Sequence, residues 1–128
     1  MDLLLDTHVF MWWMMNDKKL SQHAKNLINN ADNTCYVSTI SAWEMTIKVA
    51  IGKLNLAKPA AELFKEQMQL NGFKQLDIAL SHIEIVANLP MHHRDPFDRL
   101  LIAQTQAEKL TLISADTTLD QYEIERIW

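Results

Sequence analysis

The sequence has one cysteine, two glycines and three prolines in 128 residues. A single cysteine, Cys35, excludes an internal disulfide framework. It reads as a small apolar residue within a strand and fits a reducing cytoplasm. Gly52 and Gly72 alone cannot build a glycine-rich phosphate loop or a dinucleotide fingerprint. There is no low-complexity run, no repeat and no Pro- or Gly-rich linker, which excludes a long disordered segment and leaves one domain with short loops. No apolar run approaches the roughly 20 residues of a membrane span. The apolar residues 3–5 are followed by Asp6 and His8 with no basic stretch before them, unlike a signal peptide. No Cys-x-x-Cys or His-x-x-x-His spacing points to zinc, and nothing resembles a serine nucleophile elbow. Basic excess is lacking too: 12 Lys and Arg face 16 Asp and Glu, a formal charge of −4. Nucleic-acid binders commonly show the reverse. If the five acids singled out below are set aside as metal ligands, eleven acidic residues face twelve basic ones, which is close to neutral.

Apolar residues make up 48% of the chain, enough for a packed core. Residues 1–5 read as a buried central strand ending at Asp6, and residues 9–15 as a short apolar helix or turn. Ser21 caps a predicted helix to about residue 30, and residues 34–37 have the β-branched and aromatic character of a second strand. Ser41 opens a predicted helix to about residue 51, closed by Gly52. Pro59 stands as the first residue of a helix to about residue 70, broken by Gly72. Residues 73–78 read as a third strand and 79–89 as a helix. Asp95 and Pro96 start a helix ending near residue 109, residues 110–114 form a buried strand leading to Asp116, and residues 124–127 form a last short strand. Strands alternating with helices imply a parallel sheet of four to five strands in a three-layer α/β/α fold. In such sheets ligands bind beyond the carboxyl ends of the strands.

Acidic residues sit at those ends, each with an ordinary structural alternative. Asp6 and Asp116 each follow an apolar strand, where a carboxylate lies in low dielectric, yet each also suits a cap or turn. Ser41 and Glu44 have capping-box spacing, but Glu44 in a first helical turn also faces the strand-end surface. Asp95 suits an N-cap before Pro96, and Asp98 the third helical position. Residues three apart share a helix face, so both carboxylates can look into one cavity. An all-oxygen cluster of this kind suits magnesium or manganese. His92 and His93 are adjacent and read as a loop pair.

The blocks Leu-Leu-Leu-Asp6-Thr7-His8, Ser41-Ala42-Trp43-Glu44 with Ile47-Lys48 and Gly52-Lys53-Leu54, His93-Arg94-Asp95-Pro96-Phe97-Asp98-Arg99 and Leu-Ile-Ser114-Ala-Asp116 together resemble a bacterial PIN domain, and most of all the VapC-like toxins of type II toxin–antitoxin pairs. The resemblance runs the length of the chain. It implies a metal-dependent ribonuclease in which Asp6, Glu44, Asp98 and Asp116 form the acidic quartet, with Asp95 as an auxiliary ligand or a cap. Ser114 matches a small hydroxyl residue that supports the site, and Thr7 and Ser41, within the same blocks, join it as supporting residues. The resemblance also implies a homodimer, a cognate antitoxin protein that blocks the site, and an RNA substrate.

On this reading Asp6 is the central ligand, Asp98 and Asp116 complete one metal position, and Glu44 holds a second ion or orients water. In-line attack by water gives 5′-phosphate and 3′-hydroxyl products without the RNA 2′-hydroxyl. Arg94, Arg99, Lys48 and Lys53 are candidate phosphate contacts, or else solvated or acid-neutralising residues. Trp12, Trp13 and Trp43 can stack on bases or pack in a core or interface. The alternatives are a non-catalytic module whose acidic cleft grips an arginine-rich partner, an RNA-processing or DNA nuclease outside a toxin pair, and a phosphatase with Asp6 as nucleophile. The last is weakened because His8 stands where a second acid is usual.

Overall fold

A computed structural model describes residues 1–128. The chain runs β1 (Asp2–Leu5), α1 (Thr7–Met14), α2 (Gln22–Asn29), β2 (Thr34–Ser38), α3 (Thr39–Ala50), α4 (Ala60–Asn71), β3 (Lys74–Leu76), α5 (Leu80–Asn88), α6 (Pro96–Ala107), β4 (Thr111–Ile113), a 3-10 helix (Thr117–Gln121) and β5 (Glu125–Ile127). All strand pairs are parallel, in the order β3-β2-β1-β4-β5.

The alternation of β1 creates the three layers. Leu3, Leu4 and Leu5 are all fully buried, but successive residues face opposite sides of a strand. Leu3 and Leu5 pack with Val9 and Phe10 of α1, Ala24 and Ile28 of α2 and Phe64 of α4. Leu4 packs with Ile85 and Val86 of α5 and Leu101 and Ile102 of α6. Each such side chain contributes about 2 kcal/mol by leaving water. No helix is long and apolar enough to cross a membrane.

Several local signals act as the sequence implies. The Ser21 hydroxyl accepts the Ala24 amide at 3.1 Å and starts α2. Gly72 ends α4 in the left-handed conformation at φ 67°, where a side chain would be strained. Pro59, expected as the first residue of α4, is instead its cap, with extended ψ of 142°.

The start of α3 differs more. Ser41 does not open it: the helix begins at Thr39, capped by Ser38, whose hydroxyl accepts the Ile40 amide at 3.2 Å. β2 passes straight into the helix, and the earlier start turns Ile40 into the core between sheet and α6. Ser41 is thus a fully buried first-turn residue, and Glu44 lies in the second turn, not the first.

Candidate active site

From β1 the chain steps to β2 and β3 on one side and later fills β4 and β5 on the other. The strand order therefore reverses between β1 and β4, the point beyond whose strand ends open α/β sheets bind their ligands. The Asp6 amide crosses this seam to the Ile113 carbonyl at 3.1 Å.

Asp6 caps α1, its Oδ1 accepting the Val9 amide at 2.8 Å. It is buried, and burial raises its carboxyl above the ordinary 3.8. The neighbouring Ser114 hydroxyl, the Val9 amide and His8 oppose the rise, and Glu44 adds to it. Glu44 is also buried, with the Lys48 Nζ 3.0 Å from its carboxylate one helical turn on. Asp98, third residue of α6, is half-buried. Its carboxyl is pushed up to about 7, first by burial and then by the negative charges of Asp95, Glu44, Asp6 and Asp116. Asp116 caps the 3-10 helix: its Oδ1 accepts the Thr118 amide at 3.0 Å and the Thr118 hydroxyl at 2.6 Å.

These five acids, from four separate stretches of the sequence, thus share one electrostatic neighbourhood. Asp95 differs from the rest. Its Oδ1 accepts the Phe97 amide at 2.8 Å and the Asp98 amide at 3.2 Å, so in this structure it is the cap of α6. Three hydroxyls brace the site. Thr7 and Ser41 are bonded at 2.9 Å and tie α1 to α3, while the Ser114 hydroxyl accepts the Asp116 amide at 3.1 Å.

No three Asp, Glu, His or Cys side chains converge closely enough, in their present rotamers, to ligate one ion together. The donor chemistry nevertheless fits a hard divalent cation. The set is all carboxylate, and the repulsion among these acids, which adds to burial in raising Asp98, is what a bound cation offsets. The largest surface groove, about 710 Å³ beside Glu84, Asn88 and Tyr122, contains none of the acids.

The basic candidates divide. Arg99 is not a phosphate contact. It is buried, and its guanidinium donates to the carbonyls of Pro90 at 2.9 Å, Val86 at 3.1 Å and Leu89 at 3.3 Å. It satisfies the end of α5, where the last carbonyls lack helical partners. Lys48 is held at the cleft by Glu44. Arg94 is exposed on the loop leading to α6. Lys53 follows the far end of α3, about 10 Å beyond Glu44 at 1.5 Å per residue, and is not brought to the acids.

Trp12 packs on His8 and Trp128, and Trp13 on Phe73. Trp43 is exposed and meets Phe97 edge-on at 5.2 Å. His93 was missed as a site residue. It reads as half of a loop pair, yet its Nε2 lies 2.7 Å from the Thr118 hydroxyl and 3.9 Å from Asp116 Oδ2. No sequence spacing announces a contact across 25 residues.

A relative of this chain is Ribonuclease VapC22 of Mycobacterium tuberculosis (strain ATCC 25618 / H37Rv), 27% identical over 127 residues, covering 97% of this chain and 94% of the relative. Similar solved structures include VapBC2 from Rickettsia felis bound to a DNA fragment from its promoter, with TM-score 0.72, 17% identity, and 100% and 99% of the two chains covered. FitAcB from Neisseria gonorrhoeae gives TM-score 0.69, 18% identity, and 98% and 96% coverage. At this identity both show the fold alone, the three-layer α/β/α arrangement around a parallel sheet. The PIN domain model matches residues 3–125, and the chain belongs to the PIN domain family.

Proposed function

We propose that the protein is a divalent-cation-dependent endoribonuclease, the toxin of a type II toxin–antitoxin pair, acting on RNA in the cytoplasm. Asp6, Glu44, Asp98 and Asp116 hold magnesium or manganese. The observation that carries this is Asp98, whose carboxyl is raised to about 7 by burial and by acids from four separate parts of the chain. Likeness to a protein named a ribonuclease supports the substrate, and likeness in fold to a toxin–antitoxin complex from Klebsiella pneumoniae (TM-score 0.64, 16% identity, 98% and 96% of the two chains covered) supports an antitoxin partner. A homodimer is part of the same reading.

A cation bound here supplies positive charge that lowers the pKa of an attacking water and offsets charge building on the phosphate. The chain's own residues set the geometry. Asp6 is fixed by the Val9 amide, which leaves its second oxygen for the central position. Asp98, on α6, and Asp116, in the turn after β4, would join Asp6 in holding the cation. Glu44, steadied by Lys48, orients the water, and one of the carboxylates takes its proton. Arg94 and Lys48 are placed to meet the phosphate backbone. Attack by water on phosphorus, in line with the departing 3′-oxygen, leaves 5′-phosphate and 3′-hydroxyl ends.

The test is incubation of antitoxin-free protein with total bacterial RNA and manganese, beside an EDTA control and Asp6→Asn. Cleavage present in the wild type and lost in both controls is the expected result. Intact RNA throughout, from a protein that also binds no manganese, overturns the reading in favour of a non-catalytic acidic cleft.

A further inference from the structure

Asp116 differs from the other acids in being fixed by an outer chain of hydrogen bonds. Thr118, two residues on, reaches its Oδ1 twice, through the amide at 3.0 Å and the hydroxyl at 2.6 Å. A hydroxyl has one proton and an ionised carboxylate has none. The Thr118 proton therefore goes to Asp116, and its oxygen is left to accept. The His93 Nε2 stands 2.7 Å from that oxygen, so an N–H at Nε2 continues the chain, while the buried Nδ1 has no partner. The His93 ring is steadied by the Tyr122 ring at 5.5 Å. Its backbone is drawn in by Arg99, whose Nη1 lies 3.5 Å from the His93 carbonyl and 2.9 Å from that of Pro90.

We infer that His93 and Thr118 are positioning residues that pin the Asp116 carboxylate by Oδ1 and leave Oδ2, 3.9 Å from the His93 Nε2, as the oxygen without a hydrogen bond and so the one that meets a ligand. The geometry stands by itself, and its use in holding a cation rests on the reading above. Asp116 needs such support because it sits on an exposed single-turn helix, where a carboxylate otherwise rotates freely. Groups that orient a metal-ligating side chain are worth about 10- to 100-fold in metal affinity or activity when removed.

The experiment measures manganese affinity, from the free-ion paramagnetic resonance signal, together with the rate of total-RNA cleavage. The variants are Thr118→Val, Thr118→Ser, His93→Leu, His93→Gln and the double variant Thr118→Val/His93→Leu. Thr118→Val keeps the amide bond and the side-chain shape. His93→Gln keeps an N–H where Nε2 was. A relay predicts about tenfold weaker manganese binding and a matching fall in rate for Thr118→Val and for His93→Leu. It predicts near wild-type values for Thr118→Ser and His93→Gln, and a double variant no worse than either single one, because both remove the same chain. Unchanged manganese affinity in Thr118→Val and His93→Leu, failure of Ser and Gln to rescue, or additive losses in the double variant overturn the relay. If the wild type binds manganese but leaves RNA intact, the nuclease reading fails alone and the affinity ratios still decide the relay. A wild type that binds no manganese overturns both.

Discussion

The amide of Asp6 donates to the carbonyl of Ile113 at 3.1 Å across the seam where the strand order reverses. This one bond sets the end of β1 beside the end of β4. The acid that follows each strand is thereby delivered to the same crevice, although they lie more than a hundred residues apart. Glu44 arrives on the second turn of α3, and Asp95 and Asp98 on the cap and first turn of α6.

The clustered acids should make the metal-free protein less stable as pH rises. Asp98 has an ordinary carboxyl pKa near 3.8 when unfolded and about 7 when folded. Between these values the native state holds a proton that the unfolded state has lost, so stability falls as pH climbs through the window. Asp6 is shifted in the same direction. In EDTA at pH 7.5, Asp98→Asn should melt a few degrees above wild type, about 1 kcal/mol after allowance for solvent screening at a half-buried site. Near pH 4 the two should converge. Thermal melts at both pH values check this, and a variant less stable at pH 7.5 would mean that Asp98 serves the helix more than it suffers from its neighbours.

Arg99→Met should cost about 2–4 kcal/mol, because it strands the carbonyls of Leu89 and Pro90 and leaves that of Val86 with the Leu89 amide alone. Urea unfolding measures the loss. Arg99 makes no phosphate contact in this account, so the salt dependence of RNA binding should not change in whatever fraction remains folded.

The buried Thr7–Ser41 pair should behave as a unit. Thr7→Val or Ser41→Ala alone leaves a buried hydroxyl without its partner, at about 1–2 kcal/mol. The double variant should cost less than the sum of the two. Ser38→Ala, by contrast, removes the cap of α3 and should cost about 1 kcal/mol independently of Thr7. If Ser41 were the cap after all, Ser41→Ala would show the same loss with or without Thr7.

Much of this was legible in the sequence because the signals are local. The run Leu3-Leu4-Leu5, the cap Ser21, the Asp95-Pro96 start and the glycine stops each act within a few residues. The start of α3 was not, since Ser38, Thr39 and Ser41 offer a hydroxyl within four positions and only the burial of Ile40 chooses among them. Arg99, from its charge, reads as a surface residue, and its carbonyl partners lie 6 to 13 residues away. For Asp6, Asp95 and Asp116 the cap role is what the structure displays, with one oxygen bound to a helix start. In Asp6 and Asp116 that bond fixes the carboxylate and leaves the second oxygen for the crevice, so capping and ligation are compatible.

The most direct test of the acidic centre is manganese binding by the wild type and by Asp6→Asn, Glu44→Gln, Asp98→Asn and Asp116→Asn, with Asp95→Asn for comparison. The account predicts that the wild type binds manganese and that each quartet variant binds it about tenfold more weakly or worse, while Asp95→Asn, which keeps the capping oxygen of α6, loses less affinity than any of them. Equal binding by the wild type and the quartet variants, or none by the wild type, would contradict it.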